Sequence, residues 1–187
     1  MKNNVIKIRW HGRGGQGAIT AAKIVANAAF DSGYSGVVMT PTFGTERRGA
    51  PVFTSLKISK EKIYDLSPIE SPDMIVVLDH LLLEEAEVRN GLKPGGLIIL
   101  NTPKPPDAYD FEDTKIATAD VTTIAAKVGL NPGIVNSGII GAFAKASGLI
   151  GLEVLTKAIE KEFKDKKPVE NSESARLTFS KTSIGDY

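Results

Sequence analysis

Three glycines near the start of the chain, Gly12, Gly14 and Gly17, have the spacing of a phosphate-binding turn. In the pattern Gly-x-Gly-x-x-Gly a strand turns sharply into a helix, and the missing side chains let a ligand approach the backbone closely. The helix N-terminus then offers unpaired N–H groups and a partial positive charge to an anion. A strand-like segment precedes these glycines and an alanine-rich, helix-like segment follows them, so the context suits the motif. Arg13, inside the turn, would add positive charge.

The second half of a dinucleotide site is missing from the sequence. An acidic residue should end the second strand and bind a ribose hydroxyl, but that strand ends in Met39-Thr40-Pro41, and Glu46 is the first acid nearby. The Lys-Ser/Thr pair of a nucleoside-triphosphate loop is also absent, because Ala18 and Ile19 stand in its place. Tight strand–helix packing and contact with another subunit are therefore both favoured over NAD binding.

A charged loop forms a second candidate segment, with Thr45, Glu46, Arg47 and Arg48 framed by glycines. Glu46 can pair with either arginine, and an arginine can bind an anion or the carboxylate of a partner. A solvated surface turn is the alternative interpretation. Ligands of open α/β sheets bind beyond the carboxyl ends of the strands, which places this loop beside the glycine turn.

The other strand ends carry small polar residues, Asp79-His80 and Asn101-Thr102. A strand-terminal Asp is often the cap of the next helix, and no nucleophile or paired carboxylate accompanies it. We therefore expect Asp79 to cap the next helix and His80 to be a surface or capping residue, with neither a catalyst. The chain has no cysteine and only two histidines, so it offers no thiolates for disulfides, iron–sulfur clusters or cysteine-type zinc sites.

Short buried-type strands alternate with helices, which predicts a Rossmann-like three-layer α/β domain with a mostly parallel sheet and an antiparallel hairpin. The strands are predicted at 5–10, 36–40, 52–58, 73–78, 97–100 and, as the last, 115–119, with 62–64 as the hairpin partner of 52–58. Helices are predicted over 18–32, 81–90, 121–128, 138–147 and 152–163, with Asn136 or Ser137 as the cap of the fourth. The small residues Gly138, Ala142 and Ala146 share one face of that helix and favour close core packing.

The 187 residues suffice for one sizeable core. We expect one domain over residues 1–165, followed at 166–187 by a polar tail or a short docking helix. Twenty-three basic residues balance twenty-two acidic ones, so nothing indicates a nucleic-acid surface. The apolar runs are strand-sized, far short of a membrane span, and the N-terminus has no apolar signal region. Cytoplasm is the expected location.

Several short motifs, in order along about residues 5–165, resemble the gamma subunit of 2-oxoacid:ferredoxin oxidoreductases, above all the pyruvate enzyme. The opening Ile8-Arg9-Trp10-His11-Gly12-Arg13-Gly14-Gly15-Gln16-Gly17 resembles the start of that subunit. Gly44-Thr45-Glu46-Arg47-Arg48-Gly49-Ala50-Pro51 resembles its second signature, although Arg48 stands where the family often has Thr or Met. Pro72–Asp79, Lys93–Gly96, Asn101-Thr102 and Asn136 with Gly141-Ala142 match later positions.

The resemblance implies a complex that oxidatively decarboxylates a 2-oxoacid to an acyl-CoA and passes electrons to ferredoxin or flavodoxin. Thiamine diphosphate with Mg²⁺, [4Fe–4S] clusters and CoA would act on the companion alpha, beta and ferredoxin-like delta subunits, in a heteromer that can dimerise. This chain would then be a non-catalytic subunit that binds no cofactor alone.

The candidate cofactor-binding or subunit-contact residues lie in the two loops. They are Gly12, Arg13, Gly14, Gly15, Gln16, Gly17, Thr45, Glu46, Arg47 and Arg48. A free-standing nucleotide- or anion-binding module is the alternative function, and a self-sufficient dehydrogenase is disfavoured by the missing acid.

Overall fold

The fold is built on one mixed seven-stranded sheet in the order β2-β3-β1-β4-β5-β6-β7. The computed structural model describes residues 5–41, 48–85, 87–131 and 133–185, with only the backbone of Glu85. The strands are β1 Ile6–Arg13, β2 Gly36–Pro41, β3 Pro51–Ser59, β4 Met74–Val77, β5 Gly96–Asn101, β6 Thr114–Ala119 and β7 Ser183–Gly185.

The centre of the sheet is parallel and both flanks are antiparallel. β1, β4, β5 and β6 pair in parallel, while β3 runs antiparallel to both β1 and β2, and β7 runs antiparallel to β6. This confirms the predicted α/β class with antiparallel departures. The predicted hairpin between 52–58 and 62–64 is wrong, because β1 and β2 occupy both edges of β3 and residues 62–64 lie in a loop.

The main helical layer covers one face of this sheet. The described helices are α1 Ala18–Asp31, α2 Leu82–Glu85, α3 Val121–Lys127, α4 Asn136–Ser147, α5 Leu152–Glu162 and α6 Pro168–Lys181, with a 3₁₀ turn at Pro106–Ala108. Ile8, Trp10 and Leu56 pack against α1, α4 and α5 in the larger core cluster. Trp10 is fully buried, and its ring centroid lies 5.4 Å from that of Phe143 in α4.

The opposite face carries a thinner cover. A second cluster joins Ile75, Val77 and Ile98 of the sheet to Leu82 of α2 and to loop residues such as Val88. The predicted helix over 81–90 is wrong beyond the single turn of α2. Residues 88–90 form a turn instead, and the carbonyl oxygens of Val88 and Asn90 accept hydrogen bonds from Arg9 Nη2 at 2.9 and 2.5 Å.

The C-terminal residues form α6 and the edge strand β7. The prediction that 115–119 is the last strand is therefore wrong.

Helix α4 packs closely against its neighbours through small residues. A Cβ on Gly138 would overlap Val121 Cγ1, and one on Gly141 would overlap the carbonyl oxygen of Ala175 in α6. The small-residue face of α4 is therefore used for core packing, as predicted. Asn136 is the first residue of α4, after Val135, and no side chain caps this helix, so the predicted Asn136 or Ser137 cap is wrong.

None of the helices in the described ranges is both long enough and apolar enough to cross a membrane.

Candidate functional site at the carboxyl edge of the sheet

The glycine turn joins β1 to α1 as predicted and is closed by its own hydrogen bonds. Arg13 N donates to Gln16 Oε1 at 2.8 Å, and Gln16 N donates to the carbonyl of Arg13 at 2.9 Å. Ala21 N donates to the carbonyl of Gly17 at 2.9 Å, which begins the helix. Gln16 thus folds its side chain back over the turn.

Gly17 is required by both conformation and space. Its φ of 81° is left-handed, and a Cβ there would lie 2.5 Å from Nδ2 of Asn136. Gly12 has a related role, since a Cβ there would lie 3.2 Å from the Cβ of Ala18. The first and third motif glycines therefore allow the strand, the turn and two helices to pack closely.

The turn is also tied to the segment before β3. Gly14 N donates to the carbonyl of Ala50 at 2.8 Å, and Gly49 N donates to the carbonyl of Gly14 at 3.0 Å. These bonds extend the antiparallel β1–β3 ladder past the ends of the strands. The glycine turn and the described end of the charged loop are thus adjacent, as the sequence predicted.

The guanidinium of Arg13 lies against Asp79, just after the end of β4. Its Nε donates to Asp79 Oδ2 at 2.7 Å, and the two side chains are 20% and 16% exposed. Asp79 Oδ1 accepts a bond from Leu81 N at 3.1 Å. Asp79 thus caps the following turn, as predicted, and also holds Arg13.

Arg48 is the described member of the charged loop, and it is exposed. Its Cγ would lie 3.8 Å from a Cβ on Gly15, so it lies beside the exposed middle of the turn. Both residues line an open cavity of about 720 Å³ that Gly49, Asn131 and Gly133 also border. The predicted residues Thr45, Glu46 and Arg47 lie outside the described residues.

A second cavity, of about 500 Å³, continues along the same edge of the sheet. It is lined by the polar strand ends that the sequence singled out together with the turn: Gln16, Asp79, His80, Asn101 and Thr102. The parallel pairing of β1, β4 and β5 brings these residues together.

Asn101 has a structural role that sequence reasoning missed. Its Nδ2 donates to the carbonyl of Leu78 at 2.9 Å and to Thr122 Oγ1 at 3.1 Å, while its Oδ1 accepts from Val121 N at 3.0 Å. Asn101 thus joins β4 and β5 to the start of α3. A lone Asn at the end of a strand carries no local signal for bonds to partners 20 or more residues away.

His11, which precedes the turn, lies among side chains on the thinly covered face rather than at this edge. Its ring stacks on Phe53, with ring centroids 5.6 Å apart. Burial, together with the nearby charge of Arg9, lowers the pKa of His11 to about 3. The imidazole is therefore neutral at ordinary pH.

These contacts leave the turn poorly suited to a dinucleotide. The amides of Gly14 and Gln16 already donate within the protein, and Asn136 fills the space beside Gly17. The described residues contain no group of three or more His, Asp or Glu side chains that could hold a metal ion, and the chain has no cysteine. The residues that the structure describes therefore do not fit a thiamine–metal centre, and a chain without cysteine does not fit a cysteine-ligated iron–sulfur cluster.

The fold and this edge together define a Rossmann-like domain whose glycine turn serves packing and presents an open surface. A model of the family described as pyruvate ferredoxin/flavodoxin oxidoreductase matches residues 7–180. The chain belongs to the pyruvate ferredoxin/flavodoxin oxidoreductase family, on its gamma-subunit branch.

Relatives with close sequences carry gamma-subunit names. Pyruvate synthase subunit PorC of Methanothermobacter marburgensis is 44% identical over 178 residues, which cover 95% of this chain and 97% of the relative. The pyruvate/ketoisovalerate oxidoreductases common subunit gamma of Thermococcus litoralis is 43% identical, covering 96% and 98%. The resemblance seen in the sequence motifs is thereby confirmed.

A solved structure agrees with these relatives. The crystal structure of pyruvate oxidoreductase subunit PORC from Thermotoga maritima matches with a TM-score of 0.84 and 32% identity, covering 99% of this chain and all of that one. The α/β class is therefore shared along the whole length.

Proposed function

We propose that this chain is the non-catalytic gamma subunit of a thiamine-dependent 2-oxoacid oxidoreductase that acts on pyruvate. The observation that carries the proposal is the family match over residues 7–180, together with relatives named for pyruvate. The complex would convert pyruvate to an acyl-CoA and pass electrons to ferredoxin or flavodoxin.

The division of labour within the complex follows from what this chain lacks. Without cysteine it cannot hold a cysteine-ligated iron–sulfur cluster, and its described residues offer no metal-holding group. The companion alpha, beta and ferredoxin-like delta subunits would hold thiamine diphosphate, Mg²⁺ and the clusters. CoA would also be used on those subunits, and the assembly would work in the cytoplasm.

The glycine turn and the charged loop would face the companions or the cleft that holds their cofactors. Gly15 and Arg48 are exposed beside the cavity of about 720 Å³, whereas Arg13 is already paired with Asp79. The neighbouring residues Thr45, Glu46 and Arg47 would complete this contact. An exposed arginine beside a glycine backbone is well suited to bind a carboxylate of a partner subunit.

Reconstitution tests the proposal. The chain purified alone should have no pyruvate-dependent reduction of ferredoxin or of a dye, and co-expression with the alpha, beta and delta chains should yield a complex that contains it and is active. Turnover by the lone chain, or failure of the wild-type chain to join the complex, would contradict the proposal.

Calorimetric titration distinguishes the gamma-subunit function from the alternative, a free-standing nucleotide- or anion-binding module. We expect no tight binding of NADH, FAD, ATP or CoA by the lone chain, because the amides of Arg13, Gly14 and Gln16 donate within the protein. Micromolar binding of any of them would favour the module.

A further inference from the structure

The face of the sheet opposite α1 has an open cavity where β1 and β3 approach α2. Side chains alternate along a strand, so Ile8 and Trp10 enter the core under α1 whereas Arg9 and His11 lie on the other face. There they line a cavity of about 310 Å³ with Phe53, Leu82 and Val88, and with Pro51, Val52, Glu87 and Asn90. Most of its walls are apolar, and its floor is polar.

Two buried nitrogen atoms in this floor lack hydrogen-bond partners. They are Nε of Arg9 and Nε2 of His11. Arg9 Nη2 donates to the carbonyl oxygens of Val88 and Asn90. The guanidinium charge is therefore hydrogen-bonded only to neutral acceptors among the described residues. Buried polar groups are normally satisfied, which indicates that a ligand completes this cavity.

The charges around the cavity favour an anionic occupant. Arg13 and Lys57, two other cations on this face, are already held by Asp79 and Asp65. Arg9 makes no ion pair with any residue that the structure describes. Glu87, the carboxylate on the rim, accepts a bond from Asn90 Nδ2 at 2.8 Å. A carboxylate is the group that a buried guanidinium and a neutral imidazole N–H can both bind.

The surface around the cavity favours a protein as the source of that carboxylate. Phe53 is 40% exposed at the cavity, and apolar surface around a charged centre is typical of a protein interface. In a two-fold contact centred on this cavity, a second copy of this chain would bring Arg9 against Arg9. An acidic side chain on an apolar segment of another subunit has complementary charge.

We propose that the cavity formed by Arg9, His11 and Phe53 binds an aspartate or glutamate side chain of a companion subunit of the same complex. The carboxylate would enter beside the half-exposed Phe53 ring, which would pack against the companion's apolar segment, and would accept hydrogen bonds from Arg9 and from the neutral His11. This inference rests on the assembly proposed above, and it assigns that assembly a second contact, away from the glycine turn.

Affinity measurements on the co-expressed complex test the contact. Arg9→Gln and Phe53→Ala should weaken binding of the chain to its companions by about 30-fold or more, with thermal unfolding checked for each variant. The matched controls are Phe30→Ala, which alters an aromatic ring 68% exposed on α1, and Lys127→Gln on α3. Both controls should bind within about twofold of the wild type.

A cross-linking experiment keeps the proposal testable if Arg9→Gln does not fold. Phe53 is replaced with p-benzoylphenylalanine, and Phe30 is replaced likewise as the reference. We expect an Asp- or Glu-containing companion peptide cross-linked at position 53 and not at position 30.

Several outcomes would overturn the inference. A cross-link from position 53 to another copy of this chain would identify self-association, and no cross-link above the reference would leave the face free in the complex. Stabilisation of the wild-type chain but not of Arg9→Gln by benzoate, with assembly unchanged in the variant, would identify a small-molecule site. If the variants assemble like the wild type, only this inference fails. If the wild type does not assemble, the proposed function fails with it.

Discussion

Arg13 Nε lies 2.7 Å from Asp79 Oδ2, and this ion pair joins the end of β1 to the end of β4 beneath the glycine turn. The arginine that the sequence presents as an anion ligand is therefore engaged within the fold. The exposed positive charge described beside the turn is that of Arg48.

The Arg13–Asp79 pair should contribute measurable coupling because both side chains are mostly buried. In a double-mutant cycle of Arg13→Gln and Asp79→Asn, urea unfolding should give a coupling energy of about 1 kcal/mol. Asp79→Asn keeps an oxygen for Leu81 N, so the cap can persist. A coupling near zero would show that the pair contributes nothing to stability.

Gly17→Ala should destabilise the fold more than the same change at Gly33. Both glycines have positive φ, 81° and 82°, but only a Cβ at Gly17 meets other atoms, those of Asn136. We expect Gly33→Ala to cost about 1 kcal/mol of unfolding free energy and Gly17→Ala about 1–3 kcal/mol more. Denaturant unfolding of both variants measures the difference.

Asn136→Ala provides the check on that explanation. Truncating Asn136 removes the closest atom, Nδ2, and should restore part of the stability that Gly17→Ala loses. Equal losses at Gly17 and Gly33 would show that space beside Asn136 is not limiting.

Gly141→Ala should separate α6 from α4. A Cβ at Gly141 would overlap the backbone carbonyl of Ala175, which cannot turn away as a side chain can. We expect a loss of more than about 2 kcal/mol, or an unfolded chain, measured by thermal and urea unfolding. Gly151→Ala is the control, because a Cβ there has open space around it, and it should change stability by less than about 0.5 kcal/mol.

Stability should fall in acid through His11. Burial, with a contribution from Arg9, lowers the folded-state pKa of His11 to about 3, below the value of about 6.5 in an unfolded chain. The unfolded state therefore binds the proton first, and stability present above pH 6.5 is lost as the pH falls toward 3. The slope from this group is at most about 1.4 kcal/mol per pH unit.

Urea unfolding of the wild type and of His11→Gln between pH 7 and pH 4 measures that contribution. The variant should have the flatter pH dependence. Phe30→Ala, which alters an exposed ring that carries no titratable group, is the control and should retain the wild-type slope. Equal slopes in wild type and His11→Gln would contradict a buried neutral imidazole.

Much of the fold follows from local sequence signals. Five of the seven described strands, β2 to β6, agree with their predicted bounds within one residue, and β1 runs three residues further than predicted. Short apolar runs between turn residues are typical of buried strands. The glycine turn was placed correctly between strand and helix. The helix over 81–90 is wrong beyond α2. Arg9, 79 residues before Val88, holds the turn at 88–90 through its carbonyl oxygens, and local sequence carries no signal for that contact.

The sequence by itself determined the α/β class, the glycine turn and the family, because periodicity, turn residues and motif order are carried by neighbouring residues. Tertiary structure decided which partner each of those residues meets. It placed Asn136 against Gly17, turned Arg13 toward Asp79, made Asn101 a link between β4, β5 and α3, and left Arg9 and His11 on an open face. Such contacts join residues far apart in the chain, so only the packing of the complete sheet and its helices brings them together.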